Sequence, residues 1–106
     1  MPITAVTDST FAAEVLSCSQ PVVVDYWADW CAPCRQLTPV LEELATQYAG
    51  QVKFVSMDAK TNTKVTTQHD IRTLPTIHVF ERGEITNAIV GSVTKMKLRQ
   101  AVEAVL

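Results

Sequence analysis

Residues 21–28 read Pro-Val-Val-Val-Asp-Tyr-Trp-Ala, a nearly unbroken apolar run of β-branched and aromatic type. A strand with one wet face alternates polar and apolar side chains. A strand covered on both faces does not, so this run predicts a central strand sandwiched between two layers. Asp25 is the one charged residue in it. The rest of the chain must supply the two covering layers and the neighbouring strands.

The flanking segments carry the patterns needed. Ile3 to Val6 is a short strand candidate. Thr7, Asp8 and Ser9 offer capping side chains for a helix carrying Phe11, Val15 and Leu16 inward. After Cys31 the period becomes helical: Leu37, Val40, Leu41, Leu44, Ala45 and Tyr48 make an apolar stripe. Pro39 lies inside that helix and is expected to kink it, and Gly50 is a natural stop. Val52 to Met57 predicts a third strand, and Asn62 to His69 a weak, polar helix. Thr76–Phe80 and Glu84–Val90 read as strands joined through Arg82-Gly83, a hairpin signal. Thr94 can cap a last helix with Leu98, Ala101, Val102 and Val105 inward. The order β-α-β-α-β-α-β-β-α implies an α/β fold, a mixed central sheet with helices on both faces.

Composition limits what such a domain does. The chain has 106 residues and no repeat or linker, which reads as one domain over 1–106. A chain of this length buries roughly 60–70% of its unfolded surface, enough for a core without staples. Nine Lys+Arg against eleven Asp+Glu give a net charge of -2, which argues against nucleic acid as a partner. No apolar run approaches the roughly 18 residues of a membrane span. The first twenty residues contain Asp8 and Glu14 and no Lys or Arg, so they do not read as a secretory signal, and a cytoplasmic location is expected. Three cysteines are too few, and odd in number, for a secreted disulfide framework.

The chemistry-bearing segment is Trp30-Cys31-Ala32-Pro33-Cys34-Arg35, at the junction of the apolar strand and the long helix. A Cys-x-x-Cys pair in a first helical turn lets two sulfurs reach bonding distance. Cys31 sits where unpaired backbone N–H groups and the positive end of the helix dipole favour a thiolate, which makes it the expected nucleophile. Cys34, one turn in, is expected to be more enclosed and to act as the resolving thiol. Pro33 stiffens the loop between them. The rival reading, half of a zinc site, lacks its second half: Cys18, His69 and His78 form no second Cys-x-x-Cys or His-x₃₋₅-His element. Arg35 in place of a histidine after Cys34 removes haem attachment, so no metal is expected.

Asp25 is costly in a buried run when ionised, so its pKa is expected to rise. From the residues alone it is either a proton acceptor for the adjacent thiol chemistry or a strand aspartate bonded to a neighbouring amide. Cys18 reads as a small packing residue, and His78 as a satisfied sheet side chain rather than a ligand.

At Val24-Asp25-Tyr26-Trp27-Ala28-Asp29-Trp30-Cys31, Pro33-Cys34-Arg35, Pro39, Ile71-Arg72, Leu74-Pro75-Thr76, Phe80, Gly83-Glu84 and Gly91, the chain resembles the thioredoxin family, over essentially its whole length. The resemblance implies the thioredoxin fold, about five strands flanked by four helices. It also implies a disulfide reductase that needs no bound cofactor and works as a monomer. Its partners would be proteins containing disulfides and a dedicated thioredoxin reductase. In this reading Cys31 attacks, Cys34 resolves and Asp25 accepts the proton. An X-Pro bond is cis only about 5–6% of the time, but the resemblance implies a cis Leu74–Pro75 bond beside the cysteines. The backbone of Leu74 would then pair with an extended substrate, and Trp30, Ala32, Pro33, Leu74, Pro75, Val90 and Gly91 would form the docking patch. Two departures stand out. Ala32 replaces the glycine usual between the cysteines, and Ser56 stands where many relatives carry a lysine facing the aspartate, which favours protonated Asp25. The alternatives on the same fold are a redox-independent binding or adaptor module and a more oxidising variant that needs an oxidising compartment.

Overall fold

A computed structural model describes residues 3–106, so the first two residues of the domain read over 1–106 lie outside the described residues. Five strands form one mixed sheet: β1 (Ile3–Ala5), β2 (Val22–Trp27), β3 (Lys53–Asp58), β4 (Thr76–Glu81) and β5 (Glu84–Val90), in the order β1-β3-β2-β4-β5. The apolar run at 22–27 is the middle strand, as its patterning requires. It pairs parallel with β3 and antiparallel with β4, and β1 and β5 form the edges. Four helices surround the sheet: a short π-helical α1 (Ala12–Leu16), then α2 (Ala32–Gln47), α3 (Thr63–Gln68) and α4 (Lys95–Glu103).

The period-2 geometry of β2 divides the core in two. Val23 faces α2 and α4, where Leu37, Leu41, Leu44, Leu98, Ala101 and Val102 pack over Phe54, Ile77 and Val79. Val22, Val24 and Tyr26 face the other way, onto Phe11, Val15, Val55, Met57, Val65 and Phe80. Each fully buried side chain of this size contributes roughly 1.5–3 kcal/mol of hydrophobic stabilisation. Asp25 and Ser56 share the parity of Val23 and Phe54, which puts the carboxyl on the α2 side of the sheet.

Local signals resolve as the sequence predicts in the second half of the chain. Arg82 and Gly83 both have positive φ, 53° and 83°, the geometry of a tight two-residue hairpin turn. The Thr94 Oγ1 accepts from Lys97 N at 3.2 Å and caps α4. Helix α2 runs through Pro39 as one element.

The first helix departs from expectation. It closes with Ser17 N donating to the Ala12 carbonyl, five residues back, and no side chain caps it. Phe11 and Val15 are buried, but Leu16, at the end of the element, is 39% exposed. Asp8 caps a different helix. Its carboxylate accepts from Lys64 N (3.1 Å) and Val65 N (2.9 Å) in the first turn of α3, and Asn62 Oδ1 accepts from Asp8 N (2.9 Å) in return.

Candidate active site

Cys31 ends the loop after β2 and is the N-cap residue of α2. A backbone in extended geometry (φ -95°, ψ 102°) turns its side chain back over the first helical turn, where Sγ accepts from Cys34 N at 3.2 Å. The sulfur thus takes the place that an oxygen fills in an ordinary cap, facing orphan amides and the positive end of the helix dipole. Pro33, within the first turn, costs no hydrogen bond there. The two cysteines are joined in a disulfide with Cα atoms 5.3 Å apart. The expected contrast in their enclosure is absent from the bridged state. Cys31 is 4% and Cys34 3% exposed, because both sulfurs pack with Ala28 against Trp27 and Leu74. Arg35 braces the loop, its guanidinium donating to the Asp29 carbonyl at 2.6 Å.

Asp25 lies behind the pair. It is 5% exposed, and its Oδ1 is buried with no hydrogen-bond partner among the described residues. The alternative of a strand aspartate satisfied by a neighbouring amide therefore does not hold for that oxygen. Burial pushes its pKa up to about 7, since the anion has lost its hydration. Asp25 and Cys34 both line a cleft of about 470 Å³, with Ser56 beside Asp25 in strand register.

On the front face, Leu74–Pro75 is a cis peptide. Pro33, Leu74, Pro75 and Gly91 line a groove of about 390 Å³, and Gly91 N donates to the Pro75 carbonyl at 3.0 Å. Pro75 itself is buried, so it contributes to the groove wall rather than to a flat surface. Trp30 (70% exposed) and Val90 (61%) stand outside that groove, as does the exposed Ala32. Gln36, Leu37, Val40, Ser92 and Val93 complete the groove; apolar helical spacing marks Leu37 and Val40 as core, with nothing to show they reach the surface.

The family model for thioredoxin matches residues 2–104. The chain belongs to the thioredoxin family. It is 46% identical over 98 residues to "Thioredoxin 1" of Nostoc sp. (strain PCC 7120 / SAG 25.82 / UTEX 2576), covering 92% of each chain. To "Thioredoxin 1" of Synechococcus elongatus it is 46% identical over 99 residues, 93% of this chain and 92% of the relative. To "Thioredoxin M-type, chloroplastic" of Chlamydomonas reinhardtii it is 42% identical over 102 residues, 96% of this chain and 73% of the relative. Membership and the bridged cysteine pair together make the protein a thiol–disulfide oxidoreductase. Among the described residues no helix is long and apolar enough to cross a membrane, and no group of three or more His, Cys, Asp or Glu could hold a metal ion.

His78 is satisfied as expected. It is buried on β4, with Nδ1 3.3 Å from the Tyr26 hydroxyl. Burial, reinforced by His69, lowers its pKa to about 4, so it is held neutral. The ring centroids of His69 and His78 are 6.0 Å apart, with Phe11 and Phe80 beside them. Cys18 is half-buried against the hydrophobic core cluster that contains Phe11, Val15 and Phe80, and is unbridged.

Proposed function

We propose that the protein is a general reductase of protein disulfides, acting as one thioredoxin domain in the cytoplasm. The observation that carries this reading is the position of Cys31 at the N-cap of α2, with its sulfur facing the Cys34 amide at 3.2 Å. In the reduced protein the same amide and the helix dipole favour the Cys31 thiolate. That thiolate attacks one sulfur of a substrate disulfide, the substrate bond breaks, and its other sulfur leaves as a thiolate. Asp25 takes the proton from the Cys34 thiol, and the new thiolate attacks Cys31 Sγ. The Cys31–Cys34 bond forms, the mixed disulfide breaks, and the second substrate sulfur departs, so two electrons have passed to the substrate. A carboxyl with a pKa near 7 suits the acceptor role, being neither permanently ionised nor too weak a base at neutral pH.

A dedicated thioredoxin reductase returns the two electrons, and no bound cofactor takes part. Substrate docks as an extended segment over Leu74, Pro75 and Gly91, with Trp30, Ala32, Pro33 and Val90 as the exposed apolar rim. The net charge of -2 does not support a nucleic-acid partner, and the protein works as a monomer. The test is reduction of insulin disulfides with dithiothreitol as electron source. Wild type should accelerate it strongly and Cys31→Ser should not; equal rates for the two overturn the reading.

A further inference from the structure

The cleft behind the cysteine pair is a largely apolar space that ends on a buried carboxyl. Its volume of about 470 Å³ lies in the range of small-molecule sites. Ile3 and Ala5 of β1 and Leu41 of α2 line it with aliphatic surface. Asp25 is more than nine-tenths buried, and its Oδ1 has no partner, a state that costs free energy until a donor reaches it. The neighbouring strand offers only the short side chain of Ser56 in register with it.

The charged groups facing the cleft favour a cation. Besides Asp25 on β2 they are Asp29 in the following loop, and Arg35 and Glu42 on α2; β1 and β3 contribute none. Three carboxylates thus stand against one guanidinium, and that guanidinium is already engaged by the Asp29 carbonyl. A metal ion is a poor match, since no cluster of three suitable ligands exists among the described residues. A buried carboxyl that lines an aliphatic cleft, with no cation beside it among the described residues, calls for an N–H donor carried on a hydrocarbon chain.

We propose that this cleft binds a short primary alkylammonium ion, whose N–H groups bond to Asp25 while its chain lies against Ile3, Ala5 and Leu41. The site requires only the bridged form of the protein and is independent of the role of Asp25 in proton transfer. In that form Cys34 carries no proton, so Asp25 titrates without a thiol partner.

The test is a pH titration of the Asp25 carboxyl carbon by NMR in the oxidised protein, with n-propylammonium, tetramethylammonium or sodium chloride at matched ionic strength. An ion that binds the carboxylate form in about tenfold excess over its dissociation constant lowers the Asp25 pKa by about one unit. Propylammonium should produce that shift, whereas tetramethylammonium, which has no N–H, should match sodium. Equal titrations in all three salts, or an equal displacement by tetramethylammonium, overturn the proposal. Ser56→Leu, which fills the cleft from β3, should remove the propylammonium-specific part of the shift; its persistence in that variant also overturns the proposal.

Discussion

Asp25 and Ser56 stand opposite each other in the register of two neighbouring parallel strands, and Ser56 offers no charge to the carboxyl beside it. With desolvation as the cause of its shift, Asp25 titrates around pH 7, poised between acid and base. The buried Oδ1 is left without a partner inside the fold, so the arrangement costs stability whenever the group ionises.

Asp25→Asn should therefore stabilise the protein above pH 7 and slow its chemistry. The folded pKa of about 7 lies above the unfolded value of 3.8, so protonation favours the fold fully below pH 3.8, and that contribution is lost as pH rises through 7. Removing the titration should add roughly 2–4 kcal/mol at pH 8 and nothing near pH 3.5. Insulin reduction should slow on the order of 10–100-fold, at or below the usual worth of a positioned base. Urea unfolding at the two pH values and the turbidity assay check both halves. A variant no more stable than wild type at pH 8 would contradict the burial argument.

His78 titrates in the opposite sense. Its folded pKa of about 4 lies below the unfolded 6.5, so its stabilising contribution is present above pH 6.5 and lost as pH falls through 4. Between about pH 4 and 6.5 the fold gains a proton at Asp25 and excludes one at His78, and the two slopes cancel. Stability of wild type should be nearly flat there as far as these groups decide it. His78→Leu should become more stable on acidification, and Asp25→Asn less stable, each by at most about 1.4 kcal/mol per pH unit. Parallel stability profiles for the two variants would refute this balance.

The reciprocal bonds between Asp8 and the first turn of α3 predict coupled losses. Asp8→Ala removes acceptors from Lys64 N and Val65 N and should cost about 1–2 kcal/mol. Asn62→Ala removes the acceptor for Asp8 N. The double variant should lose about 0.5–1.5 kcal/mol less than the sum of the singles, measured by denaturant unfolding. Strict additivity would show that the two ends do not support each other.

Gly50 and Gly83 make a matched comparison. Both hold left-handed backbone, at φ +85° and +83°, so alanine pays about 1 kcal/mol at either. A Cβ at Gly50 meets nothing within 4 Å, while one at Gly83 lies 3.0 Å from the Leu16 backbone oxygen. Gly83→Ala should therefore be the more destabilising by about 1 kcal/mol or more, read from thermal melts of the two variants.

What the chain declares in its own order is what depends on neighbours in sequence. The unbroken run at 22–27 required a middle strand, the stripe from Leu37 to Tyr48 a long helix, Arg82-Gly83 a hairpin and Thr94 a cap, and each forms. Cys31 and Cys34 were legible because their chemistry lies within one helical turn. Leu16 was misplaced, since one residue beyond Val15 at the end of a short helix its side chain turns outward.

Everything decided by long separations stayed hidden until the sheet closed. Asp8 caps a helix more than fifty residues away, Tyr26 meets His78 across two strands, and the cleft at Asp25 draws its walls from β1, β2, β3 and α2. Local propensity and periodicity are properties of a few consecutive residues, so sequence alone determined the elements and the cysteine pair. Desolvation, register and cavity shape exist only where distant segments exclude water together, and the tertiary structure alone set those.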